Sequence, residues 1–273
     1  MNKQKSQNKL EEIEKLERKY LNKYFHFLKS VEDELLDGFK TKEEITDDWF
    51  GFYKSGISDF AVGAERIVYS LMNGRSIGIP NSCPVGADLF FDVKEAFIHI
   101  DLKTVGATLN EIKGDKKNGI KAWSNNIGDY ASNIFVGTNQ NSYKGLMEVT
   151  RGADKGKLRP YDPNLPTIYN KNKENSKPCL SYFITILYDK DTLDTLVISI
   201  VCMPNGELEP HYTTRVLQAG KNLDKTRFRF TNIPDFELLE GNQKRIKVIS
   251  FKETMDDSYK KKLKFFENLY NNQ

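Results

Sequence analysis

The chain has 273 residues, with 41 Lys plus Arg against 38 Asp plus Glu and a formal net charge of +3. It is long enough for one large core, and its charge is so nearly balanced that a polyanion partner would have to be met by a local basic surface rather than by bulk charge. Three irregularly spaced cysteines, Cys83, Cys179 and Cys202, exclude a disulfide framework and a cysteine zinc site, and fit a reducing cytoplasm.

The opening stretch MNKQKSQNKLEEIEKLERKY is charged throughout and lacks the apolar centre of a secretion signal. Leu10, Ile13, Leu16, Tyr20, Tyr24 and Leu28 recur at spacings of three and four, which predicts an amphipathic helix over 8–29. Two more helices are predicted at about 42–54 and 58–73, the second opened by the N-capping types Ser58 and Asp59 and closed by Gly74. Residues 1–74 thus form a helical N-terminal region.

The pattern then turns to strands. ADLFFDV and AFIHIDLKTV, joined by the short KEA region, read as a hairpin. Residues 106–177 are polar and rich in Gly, Asn, Lys and Pro, with a short helix predicted near 122–134. Strong strands follow at 180–188 and 195–203, then FRFTNI and RIKVISF, and an amphipathic helix closes the chain in DDSYKKKLKFFENLYNN. The apolar runs are far shorter than the roughly 20 residues of a membrane-crossing helix, so no membrane partner is expected. With no repeat and no long linker, the expectation is a single domain over 1–273, an α/β fold with a mixed sheet flanked by helices.

In a strand, side chains alternate between faces, so His99, Asp101 and Lys103 point one way and Ile100, Leu102 and Thr104 the other. An antiparallel hairpin partner brings Asp88 to the same end. Two neighbouring carboxylates repel, and burial makes each reluctant to ionise, so a cation is needed to keep both charged. Oxygen ligands without a His or Cys cluster favour Mg²⁺, bound together with water and substrate phosphate oxygens. Lys103 beside it could stabilise charge on a phosphate or position an attacking water. His99 shares the face but reads as a structural histidine, because His26 and His211 are remote in sequence.

An acid, a gap and then an acid-x-Lys on adjacent strands resembles the PD-(D/E)xK nuclease superfamily, type II restriction endonucleases in particular. The matching residues are Asp88, Asp101 and Lys103, with Asp88 and Asp101 thirteen positions apart. The resemblance implies a restriction-endonuclease-like fold in which Asp88 and Asp101 bind Mg²⁺ and Lys103 assists the hydrolytic water. Glu65 stands where many members carry a helical glutamate. The motif's proline is absent, with Ala87 before the first acid and Pro84 three residues earlier. The implied activity is Mg²⁺-dependent cleavage of both strands of a specific double-stranded DNA sequence by a homodimer.

DNA needs phosphate contacts for placement and base-edge contacts for reading. The polar segment 106–177 offers Lys113, Lys116, Lys117, Asn125, Asn126, Asn139, Gln140 and Asn141, and further on come Arg215, Arg227 and Arg229, the last two expected on one strand face. A structure-specific repair or recombination nuclease, or a non-catalytic DNA-binding module, would use the same residue types. Equally, Asp101 and Lys103 could be an exposed structural ion pair, Asp88 a turn residue and Glu65 a solvent-facing helix residue. Elements GxSxG, GxxxxGK[ST] and GxGxxG are absent, which removes the usual nucleophile elbow and ATP-driven chemistry.

Overall fold

The helix expected over 8–29 is longer in the structure, Asn2–Ser30 (α1), and buries Leu10, Ile13, Tyr20, Leu21, Tyr24 and Leu28 along one stripe. The computed structural model describes residues 2–40, 60–73, 75, 78–80, 88–107, 133–137, 141–149, 153–161, 163–189, 192–211, 217–219, 228–231, 238–239 and 243–273. After a turn at Val31 a second helix (α2, residues 32–40) buries Leu35 and Phe39. The helix expected near 58–73 is Phe60–Met72 (α3), with Ala64, Val68, Leu71 and Met72 buried. Its expected caps Ser58, Asp59 and Gly74, and the helix expected at 42–54, lie outside the described residues.

The strands are Ile79–Pro80 (β1), Leu89–Asp92 (β2), Phe97–Ala107 (β3), Asn133–Gly137 (β4), Gly145–Val149 (β5), Leu158–Tyr161 (β6), Ile168–Tyr169 (β7) and Lys177–Asp189 (β8). Thr195–Met203 (β9) leads into a short 3-10 helix at Gly206–His211; Leu217–Ala219 (β10), Phe228–Thr231 (β11), Leu238–Leu239 (β12), Gln243–Lys244 (β13) and Ile246–Phe251 (β14) precede Asp257–Asn271 (α4). The main sheet runs β1-β2-β3-β8-β9-β14, with β7 also paired to β8. In this mixed sheet β3 and β8 are parallel, from Phe97 opposite Cys179 to Ala107 opposite Asp189, and the other pairings are antiparallel.

Both faces are covered, as expected for apolar strands around a parallel pair. On one face Ile98, Ile100 and Leu102 of β3 join Leu180, Tyr182 and Ile184 of β8 and the apolar stripes of α1, α2 and α3. On the other, Val105, Phe183, Leu187, Val197 and Val201 meet Tyr259, Leu263 and Phe266 of α4. Asp256 caps α4, its carboxylate accepting from the Ser258 N–H at 2.8 Å.

A buried ion pair ties α1 to the far end of the sheet. Arg245 Nη1 donates to Glu17 Oε2 at 2.6 Å, both residues being almost fully buried. The Asn205 N–H donates to Glu17 Oε1 at 2.6 Å, and the Tyr182 hydroxyl donates to the Glu17 carbonyl at 2.9 Å.

The polar segment 106–177 departs from the expected irregular insertion. It contributes β4, β5 and β6 to a second, five-stranded sheet ordered β4-β11-β10-β5-β6. These strands are short and are completed by β10 and β11 from far downstream, so local periodicity is weak where pairing is strong. The helix expected near 122–134 is also corrected where it can be seen: Asn133 and Ile134 begin β4, and the preceding residues lie outside those described. Among the described residues, no helix is long and apolar enough to cross a membrane.

Candidate active site

The β2–β3 hairpin closes through Val93, whose N–H donates to the Ala96 carbonyl at 3.0 Å. Its register runs from Asp92 opposite Phe97 to Leu89 opposite Ile100, so Asp88, one residue before β2, comes level with Asp101. The Asp88 carboxylate is then fixed by the partner strand: Oδ2 accepts from the Leu102 N–H at 2.6 Å. Leu102 lies between Asp101 and Lys103 and turns its side chain to the helical face, which leaves the acid and the lysine on the opposite face. The hairpin therefore brings Asp88, Asp101 and Lys103 together.

Their environments differ. Asp88 is exposed, Asp101 is 1% exposed and the Lys103 side chain is 22% exposed, with the ammonium ion-paired to Asp101 Oδ2. Burial pushes the Asp101 carboxyl up to about 8; Lys103 opposes that shift and the neighbouring charge of Asp88 adds to it. Asp101 Oδ1 is buried without a hydrogen-bond partner among the described residues. A buried carboxylate oxygen without a donor, next to a second carboxylate, is a donor set that a hard divalent cation satisfies. Two carboxylates are too few for a closed cage, and no cluster of three or more His, Cys, Asp or Glu occurs among the described residues; water and substrate oxygens would complete the shell.

Two polar residues that sequence patterning passed over share this face. Lys103 is in register with Thr185 of β8, and Thr185 with Ser199 of β9. Both hydroxyls are fully buried and lie 2.6 Å apart. Their signal in the sequence is a single polar residue inside each of two apolar runs, FITIL and LVISIV, but their alignment with Lys103 requires the register.

His99 is 1% exposed, with Nδ1 3.4 Å from the Ser181 hydroxyl and its ring against Phe90 at 4.6 Å and Tyr169 at 5.7 Å. Burial lowers its pKa to about 3, so the ring is neutral. Glu65 is half-buried on α3, a helix that packs against β3 and whose apolar residues lie in the core on the face opposite Asp101.

Of the DNA-contact candidates, Lys113, Lys116, Lys117, Asn125, Asn126, Asn139, Gln140, Arg215 and Arg227 lie outside the described residues. Arg229 lies in β11 of the second sheet, opposite Gln218 and Phe135. Asn141 is a correction. It is 1% exposed, its Oδ1 accepts from the Tyr143 N–H at 2.7 Å and its carbonyl accepts from the Leu165 N–H at 3.3 Å. It stabilises a turn inside the protein and presents nothing to a groove; Asn, a frequent turn former, gave the same sequence signal as a base reader.

Two family profiles cover most of the chain. One, described as Type II restriction enzyme MwoI, N-terminal domain, matches residues 9–192, and the other, the MwoI central domain, matches residues 195–251. No curated protein sequence matches the chain. Among solved structures, the restriction endonuclease BglI bound to its DNA recognition sequence aligns with a TM-score of 0.53 at 14% identity, over 84% of this chain and 90% of that one. The tetrameric restriction endonuclease SfiI bound to cognate DNA aligns with a TM-score of 0.55 at 13% identity, over 89% of this chain and 96% of that one.

Proposed function

Because the chain belongs to the MwoI family of type II restriction enzymes, and so cleaves DNA at a specific sequence, we propose that it does so with Asp88, Asp101 and Lys103 as its hydrolytic centre and Mg²⁺ as its metal. The observation that carries the assignment is the convergence of the three on one face of β3, with Asp88 bonded to the backbone between the other two. Family membership also decides among the activities left open by the residues alone, setting aside a non-catalytic module and a structure-specific repair nuclease.

A divalent cation held by Asp88 and Asp101 would lower the pKa of an attacking water and offset charge on the scissile phosphate. Asp101 contributes a buried carboxylate whose cost of ionisation falls when positive charge is beside it. Asp88, exposed at the rim, is held by the Leu102 N–H, so its position does not depend on the substrate. Lys103 is partly exposed beside Asp101 and presents a cation to a phosphate oxygen or to the incoming water. Glu65 is proposed to act from α3 as an accessory acid.

Double-stranded DNA is the partner. The two structures of like fold were both solved with their DNA, which supports a duplex lying against the rim of the sheet where Asp88 and the Lys103 ammonium reach the surface. A homodimer fits cleavage of a two-fold site, since each copy presents one centre to each strand. A reducing cytoplasm remains the proposed location, consistent with the buried thiols of Cys179 and Cys202, which form no disulfide.

The test is digestion of unmethylated DNA of known sequence with purified protein and Mg²⁺. Discrete fragments with a shared end sequence are expected, whereas random fragments, or none with any divalent metal, would overturn the reading.

A further inference from the structure

We propose that Thr185, backed by Ser199, is a positioning residue for the Lys103 ammonium; this rests on the role given to Lys103 above. The row Lys103, Thr185, Ser199 crosses three adjacent strands on one face of the sheet. One step along that face in either direction the positions are apolar: Phe183 and Leu187 flank Thr185, and Val197 and Val201 flank Ser199, all in one buried cluster. Valine at 185 would fill nearly the same volume without burying a hydroxyl. Yet both hydroxyls are kept, fully buried and 2.6 Å apart.

Their hydrogen-bonding capacity exceeds what they use on each other. Two hydroxyls carry two protons and four lone pairs, and their mutual bond consumes one of each. An ammonium has three donors and no acceptor. In the structure Lys103 engages Asp101, the same carboxylate proposed to take a cation. Sharing the Asp101 charge with a cation weakens that anchor. A third carboxylate could hold it, at the cost of more repulsion beside Asp88 and Asp101. The neutral Thr185 hydroxyl oxygen in the neighbouring strand anchors the ammonium without adding negative charge. Thr185 acts through Lys103 and does not itself touch the phosphate.

The test compares Thr185→Val, Thr185→Ser, Lys103→Ala and the Thr185→Val/Lys103→Ala double variant. Thr185→Val is expected to lower kcat by about 10- to 100-fold, the scale of a catalytic group misplaced by around an ångström. KM for DNA, and DNA binding measured without divalent metal, stay at wild-type values. Thr185→Ser restores kcat, and the double variant is no slower than Lys103→Ala. Should Thr185→Val fold poorly, Ser199→Ala, which removes the supporting hydroxyl, is expected to show the same fall in kcat at constant KM. Wild-type kcat in both Thr185→Val and Ser199→Ala, or a double variant slower than Lys103→Ala by the full Thr185→Val factor, would overturn the positioning role. Wild-type cutting by Lys103→Ala would instead overturn the lysine's role, and the proposal with it.

Discussion

The Asp88 carboxylate accepts a hydrogen bond from the backbone N–H of Leu102 at 2.6 Å. The exposed acid is thus fixed to the residue between Asp101 and Lys103, and the site is built into the hairpin register before any substrate arrives. Preorganisation of this kind places catalytic charge without a reorganisation cost during the reaction.

The buried acid gives a prediction that does not depend on DNA. Because the Asp101 pKa is raised to about 8 in the fold from an ordinary value of 3.8, the unfolded chain gives up this proton first. The stability that follows from keeping it is fully present below about pH 4 and is lost as pH rises through about 8. Asp101→Asn removes the penalty, so the variant is expected to melt higher than the wild type at pH 8 and equally at pH 4, without divalent metal. Adding Mg²⁺ at pH 8 raises the wild-type Tm and leaves that of Asp101→Asn in place. A Mg²⁺ response of equal size in both proteins contradicts the assignment of Asp101 as a ligand.

His99 predicts the opposite pH slope. Its pKa falls to about 3 from 6.5 on burial, so its contribution is present above about pH 6.5 and is lost as pH falls through about 3. His99→Gln, uncharged over this range, should show a shallower loss of stability between pH 6.5 and 3 in urea titrations. An unchanged slope would mean that His99 is protonated in the fold.

Arg245→Met should destabilise the protein by about 3–5 kcal/mol, because it strands the buried Glu17 carboxylate without its cation. Burial raises the Glu17 pKa, with Arg245 as the main opposing influence. Combining it with Glu17→Met should recover part of the loss, since no charge is then left buried. Urea midpoints of the single and double variants test this; a double variant less stable than Arg245→Met would contradict it.

Asn141→Ala should lower stability by about 1 kcal/mol through loss of the bond to the Tyr143 N–H, with the cleavage sequence unchanged. A relaxed or altered cleavage sequence would return Asn141 to the DNA surface.

The hairpin was legible because both of its signals are local. Alternation from Phe97 to Val105 separates Ile100 and Leu102 from Asp101 and Lys103, and the short connection after Asp92 sets the register that brings Asp88 alongside. The second sheet was not, because β5 finds its neighbour β10 some seventy residues later and in parallel, a pairing no short window contains. Thr185 and Ser199 were hidden for the same reason: each is one polar residue inside an apolar run until the register sets Thr185 beside Lys103 and Ser199 beside Thr185. Asn141 misled because a turn former and a groove reader are the same residue type.

The central claim, that Asp101 and Lys103 perform the cleavage, is tested most directly by single-turnover cleavage of a mapped site by wild type, Asp101→Ala and Lys103→Ala at matched DNA occupancy. The account predicts discrete double-strand cuts by the wild type with Mg²⁺ and at least a 10²-fold slower rate in each variant, the scale of losing a charged group at the reacting centre. Cutting at the wild-type rate by folded, DNA-bound Asp101→Ala or Lys103→Ala would contradict it.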